Sequence, residues 1–275
     1  MKLNDILEQI SINGDFPIDL AEVALLLAAA DEYEDLDVQA YISELNGMAR
    51  EARAFVLGRT LSKRIDGLSR FLFHEMGFHG NTKDYYDPRN SYLNEVMDRR
   101  TGIPITLSIL TMAIGKRVGL QIAGVGLPGH FIVRATSEAE EVLFDPFHGG
   151  RQLELADCEN LVSHATGSPA NFTPEHLRSI SMLNVLGRLL NNLKSIYLRN
   201  EDLRRASLVL CHLGALFPED PRHSRDLGMC CYKFGDYRSA TEMLVTYLGL
   251  SKEGEDHEAI CELLDQAMAE IALLN

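Results

Sequence analysis

Apolar residues recur at helical spacing through the first part of the chain. From Leu20 to Ala30 they point in several directions, which predicts a buried helix, and Asp19 with Glu22 three residues later is a capping-box-like start. Val38, Tyr41, Ile42, Leu45, Met48 and Ala49 predict a helix over about Val38–Leu57. Ile65, Leu68, Phe71, Leu72 and Met76 predict another over about Leu61–Met76. The acidic cluster Asp31, Glu32, Glu34, Asp35 and Asp37 reads as a solvated loop between helix ends.

The pattern then changes. Gly77 to Asn90 is rich in turn residues and reads as a loop, followed by a short helix over Ser91–Arg100 capped by Asn90 or Ser91. Gly102 and Pro104 open a helix over Ile105–Val118 that is apolar nearly all round and therefore buried; Gly119 ends it. Gln121–Leu127, His130–Ala135 and Glu141–Phe144 carry strand signals, with Pro128-Gly129 as a turn. Helices followed by a small, antiparallel sheet make this part α+β.

Beyond Phe172 the chain returns to helical spacing and begins to repeat. Asp202, Arg204, Ala206 and Leu210 match Asp236, Arg238, Ala240 and Leu244 at an offset of 34, the period of a tetratricopeptide helix pair. Two repeats, 187–220 and 221–254, with a last helix from about His257 as a cap, give an all-α region over 171–275 behind a first domain over 1–170.

Net charge and cysteines narrow the function classes. Twenty-six basic against 40 acidic side chains leave a charge of −14, which argues against a nucleic-acid surface. No run of 18 apolar residues predicts a membrane span, and the first residues lack signal-peptide order. Five cysteines are poor material for disulfides and suit a reducing cytoplasm; four of them, Cys211, Cys230, Cys231 and Cys261, read as small buried residues of the C-terminal helices.

Three segments hold residues that packing alone would not choose: 87–104, 124–134 and 144–150. His130 starts one strand and Asp145 ends the next, so antiparallel pairing brings them together. An Asp accepting from one ring nitrogen sets the tautomer and leaves the other nitrogen as a base; a buried structural His–Asp bond is the alternative. His130, Asp145 and His148 carry metal-compatible atoms without a recognised ligand spacing, so neither metal nor cofactor is expected. Arg89, Asn90 and Asn94 either line a pocket and bind a carboxylate, or are structural, with Asn90 capping and Arg89 pairing with Glu95 or Asp98. Gly126, Gly129, Gly149 and Gly150 read as turn glycines with positive φ.

The four motifs Pro88-Arg89-Asn90-Ser91-Tyr92-Leu93-Asn94, Gly102-Ile103-Pro104-Ile105, Gly126-Leu127-Pro128-Gly129-His130-Phe131 and Asp145-Pro146-Phe147-His148-Gly149-Gly150 resemble, in order, those of the SirB-type bacterial proteins. These join a transglutaminase-like region, of the papain-type cysteine hydrolase kind, to tetratricopeptide repeats. The resemblance implies that His130 and Asp145 are the second and third members of a catalytic triad. Its first member should be a cysteine at the N-terminus of the buried helix, where the helix dipole favours a thiolate. That position falls near Pro104 or Ile105, and no cysteine occurs before Cys158. Thr106 and Ser108 are the nearby hydroxyls; each could serve as a nucleophile beside His130 or simply bond to its own helix backbone.

Three functions follow: a non-catalytic module binding a protein or peptide partner, an atypical hydrolase or acyl transferase using His130 and Asp145 with a hydroxyl or water, or a purely structural partner protein. The missing cysteine favours the first.

Overall fold

The computed structural model describes residues 3–14, 17–168, 172–251 and 256–274. Its contacts divide the chain into two units, residues 15–189 and residues 1–14 with 190–275. A first domain ending at residue 170 is an expectation from the return to helical spacing beyond Phe172; the division of contacts falls within the helix over Met182–Arg199.

The unit over 15–189 opens on helices. Helix α1 (Leu3–Asn13) belongs to the other unit; α2 (Leu20–Asp31) is capped by Asp19, which accepts from the Ala21 N–H, while Ala21, Val23, Leu25 and Leu27 are buried. α3 (Val38–Ala52) is capped by Asp37 and stops short of the expected Leu57, because the Ala54 and Phe55 N–H groups tighten onto carbonyls three residues back, those of Glu51 and Ala52. α4 (Leu61–Ser69), capped by Thr60, widens into a π turn over Arg70–Glu75 where a continuous helix to Met76 was expected.

The loop that follows contains a short strand, β1 (His79–Gly80), paired in parallel with β2 (Thr101–Gly102), and a 3₁₀ turn over Pro88–Ser91 before α5 (Leu93–Arg99). α6 (Pro104–Arg117) has Pro104 in its first turn and is buried on nearly every side, as its all-round apolar sequence requires. It packs against α2, α3 and α5 and against β3 (Gln121–Val125) and β4 (Ile132–Thr136). With β5 (Glu141–Asp145) and β6 (Arg151–Leu153) these strands form an antiparallel sheet in sequence order. The fourth strand was not legible because three residues carry no clear alternation. α7 (Leu155–Thr166) follows and buries Cys158 and Val162 against Val125, Leu127 and Ile132.

Helix α8 (Met182–Arg199) gives its residues up to Leu189 to the first unit, and the other unit takes the rest of it. There α9 (Leu203–Leu216), α10 (Pro221–Lys233), α11 (Tyr237–Leu250) and α12 (His257–Leu273) follow in succession. The residues matched at the 34-residue offset do the same work. Asp202 and Asp236 cap α9 and α11 by accepting from the N–H three residues on, Ala206 and Ala240 are fully buried, and so are Leu210 and Leu244. Cys230 and Cys231 are buried, but Cys211 is exposed and Cys261 only partly covered, because these two lie on outward positions of α9 and α12.

Candidate functional site

Antiparallel pairing of β4 with β5 sets Val133 against Phe144, so the residues just before β4 lie beside the end of β5. His130 stands two residues ahead of β4 rather than on it, and its Nε2 lies 2.7 Å from Asp145 Oδ2. His148 reaches the same oxygen with Nδ1, also at 2.7 Å. Asp145 is wholly buried and its Oδ1 accepts from the Phe147 and His148 N–H groups, which closes the turn over 146–148. Burial pushes the Asp145 carboxyl up, but the bonds from His130 and His148 outweigh it and hold the group well below the usual carboxylate range. Asp145 in turn holds His148 protonated to higher pH than a free imidazole, against some loss from burial. With Nε2–H donated to Asp145, His130 keeps Nδ1 clear of any partner among the described residues.

The turn that presents His130 is supported by a residue far along the chain. Arg188 on α8 donates from Nη2 to the Leu127 carbonyl at 2.7 Å and the His130 carbonyl at 2.9 Å, and its guanidinium lies over the Phe131 ring. Gly126 is there to admit Arg188. It lacks the positive φ expected of it, and a Cβ at that position would stand 2.7 Å from Arg188 Nη1. Gly129, Gly149 and Gly150 do have positive φ. Phe147 stands edge-on to both imidazoles and to Tyr85. Arg188, Phe147 and Tyr85 carried no sequence signal beyond their residue type.

The 87–94 motif differs from the structural expectation in its partners. Asp87, nearly buried, accepts from Arg89 Nε and Nη2 and lies 3.4 Å from Arg99 Nη2, so Arg89 pairs with Asp87 and not with Glu95 or Asp98. Burial pushes the Asp87 carboxyl up; the Arg89 bonds more than reverse this. Asp98 accepts from the Tyr41 hydroxyl, and Glu95 lies near Arg99. Neither Asn90 nor Ser91 caps α5, which starts after Tyr92 without a side-chain cap. Asn90 is fully buried: Nδ2 donates to the Asp84 and Tyr85 carbonyls, Oδ1 accepts from Asn81, and its own carbonyl accepts from Thr106. Asn94 is buried with Oδ1 unpartnered among the described residues.

Thr106 Oγ1 is occupied at the start of α6, accepting from the Ile103 N–H and donating to the Asn90 or Ile103 carbonyl. Ser108 is fully buried and its hydroxyl makes no hydrogen bond among the described residues. Neither hydroxyl is bonded to His130. Cys158 packs in the apolar cluster beneath the sheet, and burial pushes its thiol up to about 11.

A cavity of about 490 Å³ adjoins the site, lined by Asp145, His148, Arg151, Leu153, Asp157, Asn160, Leu161 and His164. Chemically the arrangement offers a charged carboxylate, an oriented imidazole and a second, half-exposed imidazole at the cavity edge. His130, Asp145 and His148 each offer one metal-ligating atom, and these atoms lie within 4.8 Å of one another. No helix among the described residues is long and apolar enough to cross a membrane.

A buried helix feeding an antiparallel hairpin that carries His and Asp, in a chain that goes on into paired helical repeats, defines a transglutaminase-like protein with a tetratricopeptide region. Residues 39–191 match the model of the transglutaminase-like superfamily, and residues 193–265 match a tetratricopeptide repeat model. A UPF0162 protein of Xylella fastidiosa is 34% identical over 249 residues, 86% of this chain and 85% of that one. A UPF0162 protein of Vibrio cholerae is 33% identical, covering 77% and 78% of the two chains. The chain belongs to this UPF0162 family of bacterial proteins, in keeping with the SirB-type resemblance. Human F-box only protein 21 is 32% identical over 144 residues, which cover 49% of this chain and 22% of that protein.

Proposed function

We propose that this chain is a non-catalytic transglutaminase-like module that binds a peptide or small ligand at the His130–Asp145–His148 face, with the tetratricopeptide region engaging a protein partner. One observation carries the reading: the N-terminus of α6, where the fold needs a nucleophile, holds Pro104 and Ile105, and the nearest hydroxyl, on Thr106, is committed to backbone groups. Ser108, the other hydroxyl, has no exposed surface. The open cavity beside His148, with Arg151, Asp157 and Asn160 at its wall, supports a binding role.

The hydrolase alternative draws on the oriented His130 with its clear Nδ1, which suits a base acting through water. One assay separates the two. The full chain and His130→Ala are incubated with activated esters and anilides, and with a hydroxyl-directed fluorophosphonate. The binding module shows no turnover above buffer and no label in either protein. Turnover by the natural chain that disappears in a folded His130→Ala establishes the hydrolase and refutes the binding module.

A further inference from the structure

We propose that His130, Asp145 and His148 form a binding site for one divalent transition-metal cation of the zinc type. The inference concerns the same side chains as the proposed function but does not rest on it, since a cation can sit there whether the face binds a peptide or turns over a substrate.

The argument starts from a surplus. Orienting one imidazole needs one carboxylate oxygen and one ring nitrogen. Here a second imidazole, brought from the turn after β5, meets the same Oδ2 at the same 2.7 Å. Two rings from two different loops converging on one oxygen is what a shared ligand requires. The donor set, two imidazole nitrogens and one carboxylate oxygen, suits zinc-like cations; calcium and magnesium favour all-oxygen shells.

The surroundings are those of a built site. Asp145 is held from behind by the Phe147 and His148 N–H groups on Oδ1, leaving Oδ2 for the front. Arg188 holds the His130 carbonyl, so that ring is anchored through its backbone. His148 is 53% exposed and borders the cavity, which supplies an entry path and room for water or a ligand in a fourth position. Binding balances simply. Each neutral imidazole that donates to Oδ2 moves its proton to its other ring nitrogen and turns the freed lone pair to the cation; a protonated one releases a proton to solvent.

The test uses untagged full-length chain stripped with chelator, titrated with Zn²⁺ alone in a calorimeter and with Co²⁺ alone by visible absorption. One equivalent of Zn²⁺ should bind, and Co²⁺ should give the intense bands of a four-coordinate site. His148→Ala should lower Zn²⁺ affinity at least about 10-fold, the least expected even for loss of an outer-shell partner. His148 is exposed enough for that variant to fold, which circular dichroism checks. His74→Ala, at an exposed position outside the three candidate ligands, should bind as the natural chain does. Zn²⁺ affinity equal in the natural chain and a folded His148→Ala overturns the proposal, as does the absence of any one-equivalent Zn²⁺ or Co²⁺ site in the natural chain, which needs no variant to be read.

Discussion

Arg188 is the residue whose removal says most about how the site is held. Its Nη2 bridges the carbonyls of Leu127 and His130, and its plane covers Phe131. In Arg188→Met the methylene stem is largely kept and the donors are lost. The Leu127 carbonyl still accepts from the His130 N–H, so only the His130 carbonyl is left without a partner, at about 1–3 kcal/mol. Loss of the cation–π contact adds about 1 kcal/mol. Against this, a guanidinium whose pKa is lowered by burial no longer has to be desolvated, which returns part of the loss. The net expectation is destabilisation by about 2 kcal/mol, read from the shift in urea midpoint at constant slope. Hydrogen exchange at residues 127–131 should speed by up to about 30-fold, the factor equivalent to that energy. Arg188→Lys, which keeps charge and donors without the plane over Phe131, should fall between the two. A change below about 0.5 kcal/mol with exchange at 127–131 unaltered would refute the view that Arg188 positions the His130 turn.

Two further outcomes are expected. Burial pushes the thiols of Cys158 and Cys231 up to about 11, so at pH 8 each should alkylate about 100-fold more slowly than an ordinary thiol, while exposed Cys211 reacts readily; mass spectrometry of iodoacetamide-treated native protein reads this, and fast labelling of Cys158 would contradict it. Bonds from Arg222 hold the Asp220 carboxyl down at about 2 against an ordinary 3.8, so its stabilising charge is fully present above about pH 4 and lost as pH falls through about 2. Asp220→Asn, which can still cap α10, should therefore cost about 1 kcal/mol at neutral pH and progressively less on acidification; a gap that is constant with pH would be inconsistent.

Much of the local structure was legible. The apolar ring of α6 announced its burial, Pro104 and Gly119 its ends, and the matched Asp202 and Asp236 the caps of two successive repeat helices. Each of these is settled within a turn or two of chain, by periodicity or by a side chain bonding its own backbone. The pairing of His130 with Asp145 was legible too, because a short hairpin brings strand ends together whatever lies around it.

What went unread depended on neighbours remote in sequence. Asn90 looks like a cap by residue type, yet its amide is drawn to the Asp84 and Tyr85 carbonyls and its own carbonyl to Thr106, so α5 starts uncapped. Arg89 pairs with Asp87, whose buried carboxylate also accepts from the Arg89 backbone N–H and so holds the two residues together. Gly126 looked like a turn glycine, whereas its missing Cβ makes room for an arginine 62 positions on. The sequence alone determined where most of the helices and the three longer strands form and where a nucleophile is missing, since these are properties of short stretches of chain. Only the tertiary structure decided that two histidines share one carboxylate oxygen and that Arg188 holds the turn beneath them, because hydrogen bonds between distant segments depend on which surfaces burial brings into contact.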